Sequence, residues 1–380
     1  MEKQRVDLAI LVHDLSATGV VRNAMRIAGH VAKNGLKVEL WVVSDGGAFR
    51  SRLPQGVGLR RFGARYRLPI RRIETLSVVF AIAEGIRKKR PRVLLSAGNH
   101  FHLAAGLAYR WAGRPAATRL IARASNAPPS HGWPVLAWFL ARIDAIKYRD
   151  KDLVIAVSQE LASLLKLRLA IPAERIRTIA NGIDLVAIAS QAALPLDDPW
   201  FSPGAPAVIV SAGRLTRQKN FGLLIKAFAL LRRDREARLV ILGDGPAPIK
   251  RKLRALAERL GVSDDVRLGG FTDNPMPYFA RASLFALSSR WEGASNVLIE
   301  AMACGCPVVA VDCPTGVREQ LAEGRMGPLV HQGDKEGLAR AIAARLDAPR
   351  DAERLKQHVA QFDEERMLDG YLAIFGDARD

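Results

Sequence analysis

Gly213-Arg214-Leu215-Thr216-Arg217-Gln218-Lys219-Asn220-Phe221 lies between an apolar run, Ala207 to Ser211, and a helical pattern, Phe221 to Arg233. The order is strand, tight basic turn, helix. A glycine lets the backbone approach a ligand closely, and the first turn of the helix offers N–H groups at a positive dipole end. Arg214, Arg217 and Lys219 add cations to that turn. Together these features suit a diphosphate; a solvated basic loop is the competing reading.

Outward from this segment the same unit repeats. Ala237 to Leu242, Val266 to Gly269, Leu284 to Leu287 and Pro307 to Val311 read as buried strands, with helical patterns such as Ile249 to Leu260 between them. Upstream, the strand-like runs are Val6 to Val12, Lys37 to Val43, Val93 to Ser96, Thr118 to Ala122 and Leu153 to Val157, with a helix from Val20 to Lys33 stopped by Asn34-Gly35. Alternating strands and helices predict parallel, doubly wound sheets. The polar, Pro-rich stretch Pro195 to Pro206 divides the two series, so the chain reads as two α/β domains, 1–195 and 196–360, with a linker near 190–205. Ligands of such sheets bind beyond the C-terminal strand ends, and two facing sheets would set a cleft between their loops.

The 380 residues, 49% apolar and 25% charged, suffice for two cores and exclude a mainly disordered chain. Cys304, Cys306 and Cys313 are too few for a disulfide framework, indicate a reducing compartment, and read as core residues rather than metal ligands. Neither a secretory leader nor a membrane span is expected; Leu76 to Ala83 is far too short. The net charge of +19 is lopsided: residues 1–195 carry 31 Lys and Arg against 13 Asp and Glu, whereas residues 196–380 carry 26 against 25. Eight arginines fall between Arg50 and Arg72, and Arg87-Lys88-Lys89-Arg90-Pro91-Arg92 forms a short basic run. Such a surface attracts anionic lipid, nucleic acid or phosphorylated substrates.

A second informative segment is Glu292-Gly293-Ala294-Ser295-Asn296-Val297-Leu298-Ile299-Glu300, which follows a strand and enters an apolar helix. Ser295 suits the N-cap. Glu292 then sits in the loop and Glu300 about a turn inside the helix. A loop carboxylate suits sugar hydroxyls, a helix carboxylate a ribose diol, and the intervening glycine and helix start can receive phosphate.

Gly213-Arg214-Leu215-Thr216 with Lys219-Asn220, then Gly243-Asp244-Gly245-Pro246, Gly270-Phe271, the Glu292/Glu300 pair, Glu300 to Val309 and Asn181-Gly182-Ile183-Asp184 occur in an order and spacing that resemble glycosyltransferase family 4. The resemblance extends from Ser158 to Asp334. It implies a GT-B fold: two Rossmann-like, doubly wound parallel-sheet domains facing a central cleft. It places a nucleotide-diphosphate sugar, UDP- before GDP-, in the C-terminal domain and a glycan or lipid-linked acceptor on the N-terminal one, with residues 361–380 as a helix packing back on the latter. It implies retention of configuration, no metal, and no cofactor beyond the nucleotide sugar, which is a substrate.

Carried over by position, Arg214 and Lys219 neutralise the donor diphosphate, Glu292 meets the sugar, and Glu300 holds the ribose. Gly293, Ser295, Asn296 and Val297 offer backbone N–H groups, and Gly213, Gly243 and Phe271 border the nucleotide. In the N-terminal domain, Gly19 and Arg22 open a helix where many members carry a Gly-Gly-x-Glu-Arg loop. No His follows the fifth strand, where Arg123 and Asn126 stand instead; His100 is the expected substitute, with Asn126 in the vacated place, Arg22, His102, Arg123 and Asn126 expected on the acceptor side, Gly19 expected at the donor, and His13 and His131 as weaker candidates.

The basic N-terminal half, with Trp133, Trp138 and Phe139 in Gly132 to Leu140, is expected to meet an anionic membrane surface. This implies a cytoplasmic protein, peripheral on the inner face of the cytoplasmic membrane, serving lipopolysaccharide or exopolysaccharide biosynthesis. Three alternatives are a basic nucleic-acid-binding protein, which lacks a recognisable binding motif, a GT-B relative such as a nucleotide-sugar epimerase, and a degenerate scaffold.

Overall fold

Parallel strands covered on both faces must be apolar throughout, because neither face meets water. Leu8–Val12 and Val308–Val311 are buried at every position. The computed structural model describes residues 5–16, 18–44, 46–63, 77–127 and 144–376. Contacts divide the chain into two compact units, Met1–Asn181 with Arg366–Asp380, and Gly182–Glu365.

The first unit contains strands β1 (Leu8–Val12), β2 (Val38–Val42), β3 (Val57–Arg61), β4 (Val93–Ser96), β5 (Arg119–Ala124), β6 (Leu153–Ala156) and β7 (Ile176–Thr178). They form one parallel sheet in the order β3-β2-β1-β4-β5-β6-β7. Its described helices are α1 (Gly19–Lys33), α2 (Val79–Lys89), α3 (His102–Trp111) and α4 (Gln159–Leu169). Thr18 caps α1 by accepting from the Val21 amide at 3.4 Å.

The second unit contains α5 (Leu185–Ala192), β8 (Ala207–Ala212), α6 (Phe221–Leu231), β9 (Ala237–Leu242), α7 (Ala247–Arg259), β10 (Val266–Gly270), α8 (Met276–Arg281), β11 (Leu284–Leu287), α9 (Asn296–Ala303), β12 (Val308–Val311), α10 (Val317–Gln320), β13 (Leu329–Val330), α11 (Lys335–Asp347) and α12 (Ala352–Val359). Its six strands are parallel in the order β10-β9-β8-β11-β12-β13. The order reverses between β1 and β4 in one sheet and between β8 and β11 in the other. At such switch points the loops leave toward opposite faces and open a crevice at the strand ends.

The chain ends with α13 (Glu364–Gly376). The helix expected over residues 361–380 begins at Glu364, because Ala360–Phe362 forms a short 3₁₀ turn that separates it from α12. Phe362 is buried there, and its carbonyl accepts from the Ile183 amide while Ile183 accepts from the Glu364 amide. From Arg366 onward the helix belongs to the first unit, where Met367, Leu368, Tyr371 and Phe375 join the core around β1 and α1. Among the described residues no helix is long and apolar enough to cross a membrane. Arg65, Arg67, Arg71 and Arg72 of the basic cluster, His131 and the segment 132–140 lie outside the described residues.

Candidate functional site

At the β8/β11 switch point the loops 213–220 and 288–295 are fastened together. Ser288 Oγ donates to the Lys219 carbonyl at 2.8 Å, the Arg290 amide to the Gln218 carbonyl at 2.8 Å, and Gln218 Nε2 to the Trp291 carbonyl at 2.9 Å. Glu292 is tied to the loop after β12, with its amide donating to Pro314 O and its carbonyl accepting from Thr315 N and Oγ1. Within this frame Lys219 Nζ lies 2.7 Å from Glu292 Oε1, which also accepts from Ser289 Oγ at 2.6 Å. The pair is desolvated, with side chains 15% and 7% exposed. A buried ion pair adds little net stability, so a desolvated Lys–Glu pair at the C-terminal strand ends points to chemistry.

Gly213 (φ +149°) is required by this pair, since a Cβ there would lie 2.8 Å from Lys219 Cε. The next residue, Arg214, is exposed and has no ion-pair partner among the described residues. The turn therefore presents one cation already held by a carboxylate and a second one uncommitted beside it.

The loops after β8, β9 and β10 lie side by side. Gly213 donates to Leu242 O at 2.9 Å, Leu215 to Asp244 O at 2.9 Å, and Gly243 to Gly270 O at 2.6 Å. Gly243 has φ +132°, and a Cβ would overlap the Gly213 carbonyl. Phe271, just beyond Gly270, is 60% exposed. Asp244 bonds Lys250 at 2.7 Å, which holds its carboxyl below the ordinary value.

Ser295 occupies the N-cap of α9, but its hydroxyl makes no capping bond. The Ser295 amide, expected among those offered to a donor, is instead given to Gln320 Oε1 at 3.0 Å, and Gln320 Nε2 returns a bond to Ser295 O at 3.4 Å. This amide pair forms because Gln320, at the end of α10, is itself buried and its carbonyl lies 2.8 Å from His358 Nε2 on α12. Ser295 Oγ is left buried, without a partner among the described residues. Buried hydroxyls are ordinarily bonded, so an orphan at a helix start suits a ligand oxygen. Asn296 and Val297 follow, half-buried, and Glu300 is buried in the second turn. No sequence pattern marked Gln320, a lone amide 25 residues from its partner.

In the first unit, His13 after β1 and His100 after β4 meet at that sheet's own switch point, ring centroids 5.9 Å apart. His100 is exposed and His13 buried. Two residues expected on the acceptor side are interior. His102 is fully buried, with Nδ1 2.8 Å from Ser96 Oγ; burial, and then the nearby Lys151 charge, push its pKa well below the ordinary range. Arg123 is buried with Nε donating to Tyr371 Oη at 3.0 Å and one terminal nitrogen to Asn181 Oδ1 at 2.5 Å. It anchors α13 rather than facing solvent, because a buried guanidinium needs acceptors for its fork. Asn126 is half-buried, its carbonyl accepting from Asn99 Nδ2 at 3.0 Å. Gly19 opens α1 exposed, and Arg22 stands 6.0 Å over the Phe49 ring.

Burial pushes the Cys304 and Cys306 thiols up to about 12, which suits packing rather than nucleophilic chemistry. Among the described residues no group of three or more His, Cys, Asp and Glu side chains is placed to hold a metal ion.

Two parallel sheets, with basic glycine turns and a Lys–Glu pair at the second switch point, define a class of double Rossmann-like proteins. Residues 17–186 match the family Glycosyltransferase Family 4, and residues 206–348 match Glycosyl transferases group 1. The chain belongs to this glycosyltransferase family. It is 35% identical over 205 residues to the N-acetylgalactosamine-N,N'-diacetylbacillosaminyl-diphospho-undecaprenol 4-alpha-N-acetylgalactosaminyltransferase of Campylobacter jejuni, covering 53% of each chain. It is 36% identical over 204 residues to the lipopolysaccharide core biosynthesis glycosyltransferase LpsE of Rhizobium meliloti, covering 52% of this chain and 57% of that one. The chain thus spans about half the length of these curated relatives.

Among solved structures, Anabaena HepE in complex with UDP and glucose superposes with a TM-score of 0.82 at 20% identity, over 98% of this chain and 100% of that one. WaaG, a glycosyltransferase involved in lipopolysaccharide biosynthesis, gives 0.73 at 18% identity, over 97% and 99%. These likenesses establish the GT-B fold.

Proposed function

We propose that this protein is a retaining, metal-independent glycosyltransferase. It transfers a sugar from a nucleotide-diphosphate sugar, UDP- in preference to GDP-, to a glycan or lipid-linked acceptor in cell-surface polysaccharide synthesis. The observation that carries this reading is the Lys219–Glu292 pair beside the uncommitted Arg214, at the C-terminal strand ends of the second sheet. Family membership supports it, as do the UDP bound to the neighbour HepE and the lipid diphosphate in the name of the Campylobacter relative. The same comparisons do not favour a nucleic-acid-binding protein or an epimerase.

In this reading the bond from the anomeric carbon to the diphosphate oxygen breaks, and a bond from that carbon to an acceptor oxygen forms on the same face. The departing phosphate takes the acceptor proton. Negative charge grows on the diphosphate, so Arg214 and Lys219, fixed beforehand, stabilise the transition state without a metal. Glu292, held by Lys219 and Ser289, is oriented toward sugar hydroxyls. Glu300 receives the ribose, and Gly293, Asn296, Val297 and the Ser295 hydroxyl complete the donor pocket. In the first unit His100 is taken as the catalytic histidine, Gly19 as donor-binding and Arg22 as acceptor-binding. The acceptor is reached from the inner face of the cytoplasmic membrane, where the protein is peripheral.

Calorimetric titration with UDP and with GDP, followed by assay of slow nucleotide-sugar hydrolysis, tests this reading. Arg214→Ala is expected to lower turnover by about a hundredfold, equivalent to about 3 kcal/mol of transition-state stabilisation. A variant with wild-type affinity and turnover removes Arg214 from the site and overturns the assignment.

A further inference from the structure

Phe80 on α2 and Trp111 on α3 are 59% and 57% exposed, yet their rings pack edge to face at 4.6 Å with an interplanar angle of 89°. Leu107, one turn before Trp111 on the same face of α3, is 38% exposed. The opposite faces of the two helices are committed to the core through Ile82, Ala83, Ile86, Ala104, Ala105 and Ala108. The three exposed apolar side chains therefore share one outward surface. Phe and Trp side chains offer roughly 150–250 Å² each for burial, and a solvated aromatic pair leaves much of that hydrophobic driving force unused.

The charges around the pair decide what covers it. Arg87, Lys88 and Arg90 lie on or next to α2, and Arg110 and Arg114 on or next to α3. Two carboxylates answer them: Glu84 meets Lys88 at 2.5 Å, and Asp150 meets Arg110 at 2.6 Å and Arg114 at 3.2 Å. Arg87 donates to the Trp111 carbonyl, which sets a guanidinium directly beside the aromatic pair. A second copy docked on this face would oppose one cationic rim with another, and like charges resist such pairing. An anionic bilayer matches both parts. Its headgroups attract the cations, and its interfacial zone takes Trp together with neighbouring apolar side chains.

We propose that the outer face of α2 and α3, centred on Phe80 and Trp111, is a docking surface for an anionic lipid bilayer. This deepens the function proposed above, since a lipid-linked acceptor lies in such a bilayer. It assigns the contact to a specific face of the first unit.

Co-sedimentation of the full chain with vesicles tests it, without donor or acceptor. Vesicles of phosphatidylcholine mixed with an equal part of phosphatidylglycerol are expected to retain the protein at least about tenfold more strongly than phosphatidylcholine alone. Phe80→Ser with Trp111→Ser is expected to lower partitioning onto the mixed vesicles by about tenfold or more, and Trp111→Ser alone by less. Arg87→Gln with Arg90→Gln is expected to lower it by about fivefold per cation removed. Equal retention on both vesicle types overturns the proposal, as does wild-type partitioning of the double aromatic variant. Self-association in lipid-free buffer that this variant abolishes also overturns it, making the face an interface between copies. UDP titration of the unaltered chain is a separate readout, so its failure would sink the proposed function and not this one.

Discussion

Lys219 and Glu292 are 73 positions apart in sequence, and four neighbouring side chains or backbone groups hold their functional atoms 2.7 Å apart. Gln320 works one step further out. Both polar groups of its amide bond the Ser295 backbone, fixing the direction in which α9 starts while leaving the Ser295 hydroxyl uncommitted. Gln320→Leu preserves much of the volume and deletes both bonds. We expect the KM for the nucleotide sugar to rise about tenfold or more, with kcat changed less, because the loop proposed above to receive the donor loses its fixed orientation. Gln320→Glu, which keeps the acceptor for the Ser295 amide, is expected to recover part of that loss. Steady-state kinetics against donor concentration would decide; equal losses in the two variants would deny Gln320 this positioning role.

At the scale of elements, the glycine turns after β8, β9 and β10 were legible because strand, glycine and helix signals are local. Their mutual bonding was not. Gly243→Ala is expected to destabilise the second unit by about 2 kcal/mol or more, since its φ of +132° is strained for any L side chain and its Cβ would press on the Gly213 carbonyl. Thermal unfolding of the variant checks this. Three strands gave no sequence signal. β3 is an arginine-bearing edge strand with mostly outward side chains, β7 has 3 residues, and β13 has 2. An edge strand buries little and a very short one shows no period, so only pairing with β2, β6 and β12 defines them. The break between α12 and α13 likewise follows from the Ile183 bonds, a contact about 180 residues distant in sequence.

At the scale of the whole molecule, a buried titratable core sets a pH limit. In the first unit, burial and then the Lys151, His100 and Lys147 charges depress the His102 pKa well below that of an unfolded histidine. The unfolded chain therefore binds a proton first as pH falls. Stability contributed by the neutral ring is present above about pH 6.5 and declines below it, by up to about 1.4 kcal/mol per pH unit until the folded pKa is reached. His102→Gln is expected to flatten this acid limb in thermal unfolding followed from pH 7 to pH 4; an unchanged limb would assign the decline to other groups.

The sequence by itself determined the repeated strand–turn–helix order, the two parallel sheets and the family motifs, because apolar periodicity and glycine turns are written locally. It also located the charge imbalance between the halves. Tertiary structure alone decided that Arg123 and His102 are interior, that Gln320 rather than a ligand takes the Ser295 amide, and that Phe80 and Trp111 share one exposed face. Those outcomes depend on which atoms from distant segments are brought within a few ångströms, and a polar or aromatic residue type carries no mark of whether its partner will be water, the chain itself or a ligand.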